Sequence, residues 1–195
     1  WPTGALEFLN KKSSRRVLTD MEESQLHWEI ANAYFIFNKD YESITEASKS
    51  LVISNGKHDS AWLTAGLASW RRGDLKRARL FFTNLANLEK SKVSVRASGA
   101  YWASRVEFLL GHPSRAIDFL KISSNYSDTF YGKLSIKSLG FNHKINFDLP
   151  NISEQFISWL SLQKGGLRAL ALLQVEEHWH ADRELRKLYS LTPEK

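Results

Sequence analysis

The chain contains a repeat of about 34 residues, and this periodicity limits the possible folds more than any other feature of the sequence. The segment that begins at Trp28 aligns with the segment that begins at Trp62, and a third copy follows at a slightly longer spacing. The matching positions in the first two copies are Ala31 with Ala65, Asn32 with Gly66, Lys39 with Gly73, Asp40 with Asp74, and Ile44 with Ala78. The third copy places Ala103 on Ala65, Gly111 on Gly73, Ala116 on Ala78 and Phe119 on Phe81. A period of this length predicts stacked supersecondary units.

Each copy has the pattern of two amphipathic helices joined by a tight turn. Small residues such as Gly66 and Ala78 allow the two helices to cross closely, while bulky rings fill the adjoining grooves. Gly73 and Gly111 fall where the chain leaves a helix, a position that commonly requires a left-handed residue. The first copy has Lys39 where this turn glycine would be.

Trp, a small residue, Gly-Asp and Ala at this period resemble the tetratricopeptide repeat over about residues 22–123. The resemblance implies an all-α fold, in which antiparallel helix pairs form a superhelical arc, a tetratricopeptide-like α-solenoid. We therefore expect helical-hairpin repeats over residues 1–124. Residues 4–9 have the pattern of the second helix of an earlier copy, so we expect the chain to be a piece of a longer protein.

Residues 125–195 lose the repeat and predict separate helices. An aromatic-rich helix is expected to close at Gly140, and the polar, proline-broken stretch 141–151 predicts a connector. Further helices are expected over residues 154–162, 167–175 and 182–189. The Lys-Gly-Gly run at 164–166 lacks the context of a phosphate-binding loop and predicts a helix-breaking turn.

The composition is that of an ordinary folded protein with a modest basic excess. The 195 residues are 43% hydrophobic and 25% charged, and 27 Lys and Arg against 21 Asp and Glu leave a net charge of +6. This excludes wholesale disorder, and no apolar run approaches the ~18 residues of a membrane span. The absence of cysteine excludes disulfide frameworks, thiolate metal sites and cysteine nucleophiles.

Short aromatic motifs resemble the helical superdomain of bacterial soluble lytic murein transglycosylases. The motifs are Tyr101-Trp102-x-x-Arg105, Thr129-Phe130-Tyr131-Gly132 and Leu139-Gly140. The match covers residues 97–140, with Ser135 where the family usually has alanine. The resemblance implies a periplasmic scaffold that holds glycan strands for a separate lysozyme-like domain. In the family, that domain cleaves between N-acetylmuramic acid and N-acetylglucosamine without hydrolysis and forms a 1,6-anhydro product.

The catalytic motifs of that family do not occur in this chain. In the family, the catalytic acid is a glutamate in a Glu-Ser-x-Phe context, followed by a Gly-Leu-Met-Gln stretch. The Glu-Ser pairs of this chain, at Glu23 and Glu42, are followed by other residues. We therefore expect no catalytic, metal-binding or cofactor-binding residue here. The resemblance implies that residues 125–195 are a helical linker region leading to a catalytic domain that begins after Lys195. The partners it implies are glycan strands and the protein's own catalytic domain.

Five residues of the motifs are candidates for contacts with glycan or with the catalytic domain. Sugars bind to flat aromatic faces and to bidentate donors, and the candidates of this kind are Tyr101, Trp102, Arg105, Phe130 and Tyr131. Packing between helices is the favoured alternative for Trp102. For Arg105 the alternative is an ion pair with Glu107 or with a helix of the catalytic domain.

Other functional classes receive less support from the sequence. His178 and His180 are two apart on an expected helix end and lack further ligands, so a metal site is disfavoured. The basic clusters are interrupted by acidic residues, and no nucleic-acid-binding motif accompanies them. Two alternatives to the scaffold stay open: a tetratricopeptide-like adaptor that binds a protein segment and, with less support, an enzyme active in its own right.

Overall fold

A computed structural model describes residues 2–10, 17–141 and 152–191, and all the regular secondary structure of these residues is α-helical. The prediction of an all-α fold is therefore confirmed for the described part of the chain. The chain divides into two compact units, Trp1–Lys144 and Ile145–Lys195. None of the described helices combines the length and the apolar character that a membrane span requires.

The first unit contains eight helices among its described residues. They are α1 (Pro2–Asn10), α2 (Asp20–Ile36), α3 (Asp40–Ile53), α4 (Asp59–Arg71), α5 (Leu75–Ala86), α6 (Val93–Leu109), α7 (Pro113–Ser124) and α8 (Phe130–Ser138). Each helix packs on the next one along the chain. In addition, α2 contacts α4, α4 contacts α6, and α6 contacts α8. Contacts thus run between helices that are neighbours or next-but-one neighbours along the chain.

The core of the first unit is rich in alanine and aromatic residues. One cluster contains Ala31, Ile44, Ala47, Leu51, Ala61, Ala65, Ala68 and Phe81. A second contains Ala78, Phe82, Ala103 and Val106, with Trp70 and Trp102 packed at its edge. The small side chains bring the helix axes close together, and the rings fill the spaces that remain.

Helices α2, α4, α6 and α8 all end in the same turn. A left-handed residue follows the helix, and the next N–H donates back to a carbonyl of the last helical turn. The left-handed residues are Asn38, Gly73, Gly111 and Gly140. In the first copy the residue is thus Asn38, with a φ of 59°, and the assignment of this position to Lys39 was wrong by one residue. Asparagine is, after glycine, a residue that commonly adopts this conformation.

The same one-residue shift continues into the second helix of the pair. Ser43 stands four residues after Lys39, which precedes α3, and Ala78 stands four residues after Asp74, which precedes α5. Both Ser43 and Ala78 are fully buried. Ser43, rather than Ile44, is therefore the small residue equivalent to Ala78.

The second unit contains three described helices, α9 (Glu154–Leu162), α10 (Lys164–Gln174) and α11 (His178–Leu191), each packed on the next. The expected helix over 154–162 is confirmed. The expected helix-breaking turn at 164–166 was wrong, because these residues form the first turn of α10, where Gly166 packs against Leu160. The connector predicted over 141–151 lies, apart from Phe141, outside the described residues.

Gly66 shows how closely the helices of the first unit approach. A Cβ atom at this position of α4 would lie 2.7 Å from Cδ1 and 2.9 Å from Cζ of Phe82 on α5. Phe82 is fully buried. Packed protein interiors have few voids into which such a ring could move. The hydrogen at Gly66 is therefore required by the packing of this ring.

We predict that Gly66→Ala lowers the free energy of unfolding by about 2 kcal/mol, because the added methyl group overpacks the core. Gly4→Ala is the matched control, since Gly4 is an exposed helical glycine with no atom within 4 Å of the added Cβ. The control should leave the stability unchanged or raise it by up to about 1 kcal/mol through helix propensity. Urea denaturation followed by circular dichroism measures both variants, and a Gly66→Ala chain as stable as the parent would contradict the packing argument.

Candidate functional site

Local hydrogen bonds fix the start of α8, which carries two of the five candidate residues. Thr129 precedes the helix, and its Oγ1 accepts a hydrogen bond of 3.0 Å from the backbone N–H of Gly132. The same hydroxyl donates to the carbonyl of Tyr126 at 2.8 Å. A Cβ at Gly132 would collide with that carbonyl, so glycine is needed for this close approach. The Thr-Phe-Tyr-Gly motif therefore has a structural role in positioning Phe130 and Tyr131.

Four of the candidate side chains, Tyr101, Trp102, Phe130 and Tyr131, form one contiguous group, called here the aromatic cluster. The indole Nε1 of Trp102 donates to the hydroxyl oxygen of Tyr131 at 3.3 Å. The rings of Tyr101 and Tyr131 have centroids 5.3 Å apart, and those of Phe130 and Tyr131 are 5.2 Å apart at nearly right angles. The two sequence motifs, separated by more than a helix, thus meet between α6 and α8.

One side of the aromatic cluster belongs to the core. Trp102 packs edge-on against Trp70 at 5.3 Å and stacks on Phe82 at 5.9 Å. Packing between helices is thus the structural role of Trp102, in line with the alternative favoured for it. Phe130 is instead 70% exposed, and Arg105 on α6 is also exposed. Because Arg105 follows Tyr101 by four residues, it shares that face of the helix.

The ion pair considered between Arg105 and Glu107 was wrong, because residues two apart on a helix do not face each other. Glu107 is fully buried, and three other side chains surround it. Arg79 Nε lies 2.7 Å from Oε1, His112 Nδ1 lies 2.8 Å from Oε2, and Arg115 Nε lies 3.8 Å from Oε1. These groups form the cationic cluster, which joins α5, α6 and α7.

The cationic cluster was not predicted from the sequence. The signal that could have found it is the position of Glu107, which occupies on α6 the place that Tyr34 and Ser69 occupy on α2 and α4, directly before the closing turn. Both of those residues are buried. A carboxylate at a buried position of the repeat requires cationic partners, which predicts an ion-pair cluster there.

A second buried polar group was also missed. His27 Nδ1 donates to Glu46 Oε2 at 2.7 Å, and Lys49 Nζ donates to Glu46 Oε1 at 2.7 Å. Burial alone would raise the pKa of Glu46, but the hydrogen bonds from His27 and Lys49 outweigh burial and lower it below its ordinary value. Glu46 is therefore held as a carboxylate at neutral pH, whereas a general acid needs a raised pKa.

His58 is the N-cap residue of α4. Its Nδ1 accepts the backbone N–H of Ala61 at 3.3 Å, and its Nε2 lies 2.9 Å from Gln25 Oε1. Because an amide oxygen only accepts, Nε2 carries the proton and the ring is neutral. Burial lowers the pKa of His58 and outweighs the opposing effect of Asp59.

The paired histidines near the end of the chain lie at the start of α11. His180 Nδ1 is 2.9 Å from Glu177 Oε2, and both side chains are more than half exposed. Within the described ranges, no group of three His, Cys, Asp or Glu side chains is arranged to hold a metal ion.

Comparison with known proteins adds no family assignment: no family model matches the chain, and no curated protein matches it.

Because the pKa of His58 is lowered in the folded chain, the free energy of unfolding should depend on pH. The folded chain takes up the proton of His58 at a lower pH than the unfolded chain, whose histidine has its ordinary pKa near 6.5. The contribution is thus fully present above about pH 6.5 and is lost as the pH falls below that value. We predict that wild type loses stability below pH 6.5 more steeply than His58→Asn, since asparagine keeps a helix-capping acceptor but does not titrate.

Thermal unfolding between pH 5 and 8 measures this difference. The pKa values of Glu46 and Asp59 are also lowered in the folded chain, so protonation of these groups likewise lowers the stability. This loss occurs at lower pH and is the same in wild type and variant. Parallel stability profiles for wild type and variant would contradict the role assigned to His58.

Proposed function

We propose that this chain is a non-catalytic scaffold of a peptidoglycan lytic transglycosylase, which positions glycan strands for a lysozyme-like domain of the same protein. The proposal rests on the resemblance of residues 97–140 to the helical superdomain of that family. It implies a periplasmic location and places the chemistry outside this chain.

We further propose that the helix pairs form a superhelical arc of the tetratricopeptide type. The support for this arrangement is the contact pattern of the first unit, in which α2, α4, α6 and α8 contact one another in order while each also packs on its chain neighbours. The left-handed turns at Asn38, Gly73 and Gly111 give the two helices of each successive pair the same connection. A regular rotation between such pairs accumulates into a curved surface.

The observation that carries the functional proposal is the meeting of the two resembling motifs in the aromatic cluster. The hydrogen bond from Trp102 Nε1 to the Tyr131 hydroxyl and the ring contact between Tyr101 and Tyr131 give the motifs one shared structure. Trp102 anchors that structure in the core, while Phe130 and Arg105 are exposed. An exposed ring and a guanidinium on adjoining helices match the stacking surface and the hydrogen-bond donors that a glycan requires.

The second candidate function is a tetratricopeptide-like adaptor. It is favoured by a groove of about 390 Å³ between α3 and α5. The groove is lined by Tyr41, Ile44, Thr45, Ser48, Arg77, Leu80 and Phe81. Apolar side chains beside a cationic group suit a short peptide with both apolar and acidic residues. A protein partner, rather than a glycan, would be the ligand of this groove.

We predict that the purified chain is retained on insoluble, protein-free peptidoglycan at low ionic strength and that Phe130→Ala weakens this binding about tenfold. The reason is the loss of the apolar area that one phenylalanine ring contributes when it is covered. Sedimentation binding over a range of chain concentrations and salt concentrations gives the affinities.

Phe37→Ala is the control, because Phe37 is similarly exposed but lies at the end of α2, away from the aromatic cluster. It should bind as the wild type does. Failure of the wild-type chain to sediment with peptidoglycan would contradict glycan binding, and release of anhydro-muropeptides by the purified chain would contradict its non-catalytic assignment.

A further inference from the structure

The cationic cluster contains more positive charge than its carboxylate neutralises. Arg79 and Arg115 both place Nε within 4 Å of the same oxygen of Glu107, and His112 occupies the other oxygen. Even with a neutral imidazole, two guanidinium groups face one carboxylate. Two like charges held together in this way repel each other, and a second anion beside them would relieve the repulsion.

The carboxylate cannot supply further neutralisation, because Glu107 is fully buried and both of its oxygens already have cationic neighbours. The cations, in contrast, reach the surface. The side chains of Arg79, His112 and Arg115 are 34%, 46% and 55% exposed. Both arginines meet Glu107 as ion pairs through Nε, without a hydrogen bond to Oε1. A guanidinium has five N–H donors, so further donors remain on each arginine beside the Nε–H of the ion pair. The terminal nitrogens therefore remain as donors for a ligand in solvent.

The first turn of α7 adds to this positive field. The helix begins at Pro113, immediately after His112, and Arg115 lies within its first turn. The leading N–H groups of a helix have no intrahelical acceptors, and they carry the positive end of the helix dipole.

We propose that Arg79, Arg115 and His112 form a binding site for one oxyanion group, a carboxylate or a phosphate, and that Glu107 serves as the buried anchor that holds the arginines in place. The site is separate from the aromatic cluster and does not depend on the glycan-positioning role. Its ligand is recognised by charge-assisted hydrogen bonds from the terminal guanidinium nitrogens. Glu107 positions the arginines, and Arg79 binds the oxyanion. Binding involves no covalent step.

The test is a titration of the ¹⁵N-labelled chain in low-salt buffer, with inorganic phosphate in one series and glutarate in the other. Saturable shifts of the Arg79 and Arg115 Nε–H resonances are expected in at least one series, and the tighter series identifies the oxyanion. Arg115→Gln should weaken that binding about tenfold, the usual effect of losing a charge-assisted hydrogen bond. Arg115 is suitable because it is the cation farthest from Glu107 and the most exposed.

Arg77→Gln is the matched control, because it removes the same charge from an exposed position of α5, where Arg77 pairs with Asp74. It should change the affinity by less than about twofold, because residues two apart on a helix do not face each other and an exposed charge is screened. If Arg115→Gln does not fold, Arg115→Lys replaces it, and its loss of the planar donor set should still weaken binding. The absence of saturable shifts with both anions, or equal weakening by Arg77→Gln, overturns the proposal.

Discussion

Close approach of helices through small residues is the interaction on which the first unit depends. At Gly66 the ring of Phe82 occupies the space of a missing side chain, and at Gly99 the backbone nitrogen of Ala86 lies 2.8 Å from where a Cβ would stand. Each site joins a helix to the next one along the chain. Because packed interiors have few voids, the size of these residues sets the distance between helix axes and hence the positions of all side chains that the helices carry.

Buried polar groups give the same unit a second kind of constraint. Glu107 joins α5, α6 and α7 through its cationic neighbours, and His27 joins α2 to α3 through Glu46. A buried carboxylate is strongly destabilising when it loses its partner, although a matched apolar replacement of the whole group often is not. A change of helix register would separate each buried charge from its partners, so these groups favour the register in which the partners meet.

The sequence predicted the helices and their pairing because both follow from local patterns. It misplaced the first turn by one residue, since the alignment matched Asp40 to Asp74 and ignored that Asn38 adopts the left-handed conformation as glycine does. Its aromatic candidates come from two motifs, and the packing of α6 against α8 brings them together. Their exposure was not deducible from spacing. Glu107 was missed because its partners Arg79 and Arg115 come from other helices, and only the packed structure brings them within reach.

Helix α6 connects these features, because its different faces serve different contacts. Gly99 fits against α5, Glu107 holds Arg79 and Arg115, and Trp102 carries the aromatic cluster toward α8. Residues three to five positions apart on one rigid helix cannot move independently. A change in the spacing of α5 and α6 would thus shift the exposed rings and the cationic cluster together, although no exposed residue was altered. The geometry of both proposed binding surfaces is consequently a property of the core.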